Sequence, residues 1–179
     1  MKSLLLLSIS ITCLLPSCNY KTQEAIQYDI YSCVLAKEFG HFSKDIPYII
    51  GINDTVQDFK EELETLIYSV QNNELFFKEY CQGDDSYRDF ILAIKPINTD
   101  TVIMDLGKLK AKTTINITLD KLIKPQPWHH IINFSKIIFN KNKDKAILFV
   151  AGSSSGSWFF VELTNKNWTV KHEILSWIS

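Results

Sequence analysis

Four stretches rich in β-branched and aromatic residues, 131–139, 145–151, 157–163 and 168–178, follow one another with only a few polar residues between them. This spacing constrains the fold more than any other feature of the chain. The connections, Asn140-Lys141-Asn142-Lys143-Asp144, Gly152-Ser153-Ser154-Ser155-Gly156 and Thr164-Asn165-Lys166-Asn167, have turn compositions. A parallel crossover needs about a dozen residues or more, so strands joined this closely are antiparallel neighbours. The pattern predicts a C-terminal four-stranded antiparallel β-meander. Such a sheet needs a layer to bury its apolar face against, and the first half of the chain offers helices for that purpose, expected on one face.

Those helices announce themselves by periodicity. Ile30, Tyr31, Val34, Leu35 and Phe39 recur at helical spacing over 28–39, with Gly40 as a stop. Residues 47–52, bounded by Pro47 and Asn53-Asp54, read as a short strand. Thr55-Val56-Gln57-Asp58 has capping-box character, and Val56, Phe59, Leu63, Leu66, Ile67 and Val70 form one apolar stripe behind it. Glu61, Glu62 and Glu64 fit its solvated side. Two shorter helices are expected over 75–81 and 87–94, the second opened by Asp84-Asp85-Ser86 and closed before Pro96. Residues 101–106 and 114–119 are further strand candidates. The fold class is α+β: N-terminal helices packed on a C-terminal four-stranded antiparallel β-meander, in a single globular domain over 28–179.

The start of the chain has a different character. Lys2 precedes a mostly apolar run over 4–15, which is shorter than the roughly 20 apolar residues a spanning helix needs. Leu15-Pro16-Ser17-Cys18 follows. This stretch resembles the lipobox of bacterial lipoproteins, in which a signal peptide is cut before a cysteine that carries the lipid. The resemblance implies a signal peptide over 1–17 and lipidation at Cys18, followed by a tether through residue 27. Cys13 fits less well, because Ser10-Ile11-Thr12 precedes it. Pro16 departs from the small or β-branched residue usual at its position. One acyl chain binds a bilayer only marginally, whereas the several chains of a lipoprotein hold it stably.

The remaining composition excludes more than it assigns. A net charge of −1 and a single arginine, Arg88, give no basis for nucleic-acid binding, which needs clustered positive charge. Eleven Phe, seven Tyr and four Trp argue against disorder. Behind Cys18 only Cys33 and Cys81 remain; they are able to pair in an oxidising envelope compartment, or to stay as two buried thiols. No spacing suggests a metal site, and no cofactor is expected. His129 and His130 are adjacent, so on a strand they would face opposite ways. Asn140-Lys141-Asn142-Lys143-Asp144-Lys145 imitates the opening of a calcium loop but has Lys145 where glycine belongs, and it reads as a turn.

Gly152-Ser153-Ser154-Ser155-Gly156 matches G-x-S-x-G, and Glu162 and His172 follow in the order of an α/β-hydrolase triad. A nucleophile elbow leads from strand to helix, whereas this loop leads into a second strand. It reads as a hairpin loop, and no catalytic residue is assigned. His172 shares strand parity with Val170 and Ile174, which makes it a satisfied histidine on a mostly apolar face.

The sequence of Ser135 to Asn140, Asp144 to Val150, Gly156, Trp158 to Leu163, and Trp168-Thr169-Val170 through Trp177-Ile178-Ser179 is similar to the C-terminal part of a group of uncharacterised bacterial envelope lipoproteins. An early helix opening on Tyr28-Asp29-Ile30-Tyr31-Ser32 fits the same resemblance. It implies fold and location and no activity. The expectation is a lipid-anchored envelope protein that binds or scaffolds, held to the membrane through lipid on Cys18, at the outer membrane facing the periplasm, with an envelope protein as partner. A toxin-immunity lipoprotein is one alternative. A serine hydrolase using Ser154, Glu162 and His172 is the other.

Overall fold

A computed structural model describes residues 21–39, 48–80, 83–95, 102–110, 115–119 and 130–178. The leader with Cys18, and also Gly40, His41, Cys81 and His129, lie outside the described residues. Four helices are present among those described: α1 (Gln23–Phe39), α2 (Lys60–Asn72), α3 (Glu74–Tyr80) and α4 (Asp85–Leu92). The strands are β1 (Tyr48–Ile52), β2 (Thr55–Val56), β3 (Val102–Ile103), β4 (Ile115–Leu119), β5 (His130–Phe134), β6 (Ile138–Phe139), β7 (Lys145–Ala151), β8 (Ser155–Thr164) and β9 (Asn167–Ile178). Helix α1 begins inside the segment expected as tether, where the Thr22 hydroxyl accepts a hydrogen bond from the Ala25 amide.

The class is α+β, but the sheet is larger than expected and mixed. Its order is β4-β1-β5-β7-β8-β9, with β6 also pairing with β7. From β5 to β9 every pairing is antiparallel, as the short connections require. The stretch 131–139 supplies two strands, because Ser135 interrupts it. Its amide donates to the Phe149 carbonyl and its hydroxyl accepts from the Phe149 amide, holding the break against β7. Beyond β5 the sheet continues with β1 and β4, both parallel to their neighbours. The expected four-stranded meander is therefore the antiparallel part of a mixed sheet. Parallel pairing becomes available here because the long segment between β1 and β4 contains α2, α3 and α4.

The helices cover both faces of the sheet, which corrects the one-face expectation. Strand β7 shows why. Ala146, Leu148 and Val150 join Phe159 and Val161 in a core with Tyr31, Val34 and Leu35 of α1. Ile147, Phe149 and Ala151 join Trp158 and Phe160 in a second core with Leu66 of α2, Phe77 of α3 and Ile91 of α4. An unbroken apolar run such as Ala146-Ile147-Leu148-Phe149-Val150-Ala151 belongs to a strand buried on both sides. Removing the fully buried Phe149 ring would cost on the order of 3–5 kcal/mol.

Two further corrections concern local structure. Thr55 does not cap a helix: it lies in β2, pairing with Ile103 of β3, and its amide donates to the Asn53 side chain. Gln57 then donates its amide to the Phe134 carbonyl, so α2 starts only at Lys60. Backbone pairing overrides the capping signal, and Val56 packs in the α1-side core, away from the α2 stripe. The second correction lies in β9. Phe160 pairs with His172 but Val161 pairs with Val170, a bulge that leaves Lys171 unpaired. Val170 and His172 consequently face opposite cores, although two residues apart.

Candidate functional site

The first turns of α1 and the segment 105–110 enclose an open groove of about 330 Å³. Two hydroxyls four residues apart, on one side of α1, build it. Tyr28 accepts a hydrogen bond from the Asp105 amide at 2.6 Å, and Ser32 accepts one from the Lys110 amide at 2.9 Å while donating to the Tyr28 carbonyl. Between these two ties runs the 3₁₀ turn Leu106–Lys108, opened by Asp105, whose carboxylate accepts from the Gly107 amide. The loop is thus fastened to the helix by backbone donors, and its lysines are left to line the opening.

Three ammonium groups converge on this groove. Asp29 receives both Lys21, at 2.6 Å, and Lys110, at 2.8 Å. Lys108 meets Glu24 at 2.5 Å and lies over the Tyr28 ring, 5.5 Å from its centroid. Burial pushes the Asp29 carboxyl up, but hydrogen bonds and charge from Lys110 and Lys21 outweigh it and hold the group below its ordinary value. Asp29 is only 16% exposed, whereas Lys110 is 75% exposed. The groove lining carries three ammoniums and two carboxylates, and a third carboxylate, Asp105, lies 3.8 Å from Lys108. The positive end of the α1 dipole lies at the same end of the helix. No protein-family model, curated protein or solved structure matches the chain.

A second polar cluster lies on the opposite face, where the residues of the proposed triad can be placed. Lys145 of β7 reaches Ser86, Asp84 at 4.0 Å and Glu162 at 3.9 Å, and sits 4.3 Å from the centroid of the Tyr87 ring. Asp84 accepts from the Ser86 amide and hydroxyl as the N-cap of α4. These hydrogen bonds from Ser86, against the opposing effect of burial, hold its carboxyl below the ordinary value, with Lys145 and His172 adding to the lowering. His172 stacks edge-on against Tyr87 at 5.4 Å, and burial pushes its imidazole down despite Asp84.

Glu162 and His172 therefore share one neighbourhood, and Ser154 does not. It lies exposed in the β7–β8 turn, where the Gly152 amide donates to the Ser155 carbonyl. Glu162 is near the other end of β8, roughly 26 Å away at about 3.3 Å per residue. The hydroxyl that does sit here, Ser86, donates to the Asp84 cap of α4 and accepts from a lysine held between carboxylates. Among the described residues, no group of three or more His, Cys, Asp or Glu is placed to hold a metal ion.

Cys33 is a half-buried free thiol on α1 that hydrogen-bonds to the Val170 backbone, and burial raises it above its ordinary value. Cys81 lies outside the described residues, as do Cys18 and His129; of His130 only the backbone is described, as the first residue of β5. Sequence reasoning missed the groove, since Tyr28 and Asp105 are far apart in the chain. A usable signal was the four-residue spacing of Tyr28 and Ser32, which puts two hydroxyls on the buried side of α1.

Proposed function

We propose that this chain is a lipid-anchored bacterial envelope protein that acts by binding or scaffolding, tethered through Cys18 at the outer membrane and facing the periplasm. The observation that carries the reading is the Leu15-Pro16-Ser17-Cys18 sequence behind a short apolar run, set against a folded body that begins at once. Residues 18 to 23 span at most about 18 Å, so an acyl group on Cys18 would keep the start of α1 close to the bilayer surface. No helix among the described residues is long and apolar enough to cross a membrane. A lipid on Cys18 would supply the attachment in its place.

Fractionation of cells making the full chain tests the reading. The wild-type chain is expected in the membrane fraction, with a lipid mass on the peptide that starts at Cys18. Cys18→Ala is expected to abolish that mass and release the protein from the membrane. A Cys18→Ala chain that stays as firmly bound would end the proposal. Crosslinking of the anchored protein, followed by mass spectrometry, is expected to recover an envelope protein partner that the released variant does not.

A further inference from the structure

We infer that the groove between the first turns of α1 and the 105–110 segment seats the anionic phosphate headgroup of a bilayer lipid, turning this end of the domain toward the membrane. The inference rests on the lipid-anchored reading above and adds a binding site to it. Lys21 is three residues beyond Cys18, so the groove is the part of the folded domain closest in the chain to the anchor. Lys21 and Lys110 share one carboxylate, Asp29, and Lys108 lies between Glu24 and Asp105, so all three ammoniums are held by ion pairs at the surface end of the lysines. The partners of Lys108, Glu24 and Asp105, are both exposed, and surface pairings of this kind are weak enough to exchange for a phosphate.

The same segment carries an apolar contact for the interface. Met104 turns into the α1-side core, and the neighbouring Ile103 is 75% exposed, two residues ahead of the Asp105 amide that Tyr28 holds. An exposed isoleucine beside a lysine-lined groove matches what a headgroup layer offers: an acyl boundary for the one and phosphates for the other. Basic residues close to an anionic membrane contribute about 1 kcal/mol each, which is roughly fivefold in binding per lysine.

The test uses the full chain, extracted from membranes and reconstituted into vesicles of phosphatidylcholine alone or with added phosphatidylglycerol. Vesicles are pelleted and the rate of lysine acetylation is read site by site by mass spectrometry. Phosphatidylglycerol is expected to slow acetylation of Lys21, Lys108 and Lys110 roughly fivefold, with reversal by salt, and to leave Lys141 and Lys166 unchanged. Lys108→Gln with Lys110→Gln is expected to remove the protection of Lys21, whereas Lys141→Gln does not.

Equal rates in the two vesicles, with the chain pelleting in both, would overturn the groove assignment while leaving the anchor standing. Equal protection by inorganic phosphate added to phosphatidylcholine vesicles would overturn it in favour of a soluble phosphate site. A chain that pellets only with phosphatidylglycerol, with the groove lysines protected, would support the groove and remove the lipid anchor. A chain that pellets with neither would remove both.

Discussion

Lys145 on β7 and Lys110 beside α1 each reach toward carboxylates, but the molecule treats them differently. Lys145 is 15% exposed and surrounded by Asp84, Glu162, Ser86 and the face of Tyr87, with each partner on the sheet or at the start of α4. Lys110 extends into solvent and shares Asp29 with Lys21. In the first cluster the cation joins two layers of the fold. In the second, backbone amides donating to Tyr28 and Ser32 fasten the loop, and the exposed lysines add surface ion pairs to α1. The contrast separates charge that holds the domain together from charge available to a ligand.

The sharpest way to break this comparison is to remove the buried cation. Lys145→Met keeps the apolar stem but leaves Asp84 and Glu162 facing each other without it and strips the Tyr87 ring of its ammonium. A loss of about 2 kcal/mol is expected in urea unfolding. A loss below a few tenths would make Lys145 as peripheral as Lys110. Next comes Asp84→Ala, which removes the N-cap of α4 and one partner of Lys145 together. About 1 kcal/mol is expected, read as a lower denaturation midpoint with an unchanged slope.

How much of this was legible in the chain depends on whether the cause is local. The turns of the meander were, because each is closed by its own residues: Asn140 accepts from the Asp144 and Lys145 amides, and Asn165 and Lys166 both adopt positive φ between β8 and β9. The N-cap of α4 was legible for the same reason. The two-sided burial of β7 was present in its unbroken apolar run, but the short connections drew attention to pairing and away from layers. The parallel strands β1 and β4 were not legible as partners, since their register depends on a crossover through three helices. Parity arguments failed at His172, because a bulge one residue long reverses the face of Val170 and nothing in the local composition marks it. The groove joins α1 to a segment far along the chain, and no periodicity reports such a meeting.

A smaller effect than either substitution is expected from acid, and it tests whether His172 belongs to the structural cluster. Its imidazole faces Tyr87 and Asp84 of α4, Lys145 of β7, Phe160 and Glu162 of β8, and Lys171 of β9. Burial lowers it below its ordinary value of 6.5, so the folded state holds fewer protons than the unfolded chain. The stability it contributes is fully present above 6.5 and declines as pH falls through the folded value. His172→Phe, which keeps the edge contacts with Tyr87 and Phe160, is expected to flatten the decline in unfolding midpoint between neutral pH and about pH 5. An unchanged slope would assign the acid sensitivity to other groups.

The smallest effect is expected at Lys110, and its smallness is what the comparison requires. With Lys110→Gln, Asp29 keeps Lys21, so thermal unfolding should move by less than about 0.5 kcal/mol. The same holds for Lys21→Gln, because Lys110 remains. Together they leave a carboxylate that is 16% exposed with no ammonium partner among the described residues, and the double substitution is expected to cost more than the two single effects combined. Simple additivity would mean that each lysine acts without the other, and the sharing of Asp29 at the groove would lose its basis. A large effect from Lys110→Gln alone would instead place this lysine with Lys145, as part of what holds the fold, and erase the difference between the two clusters.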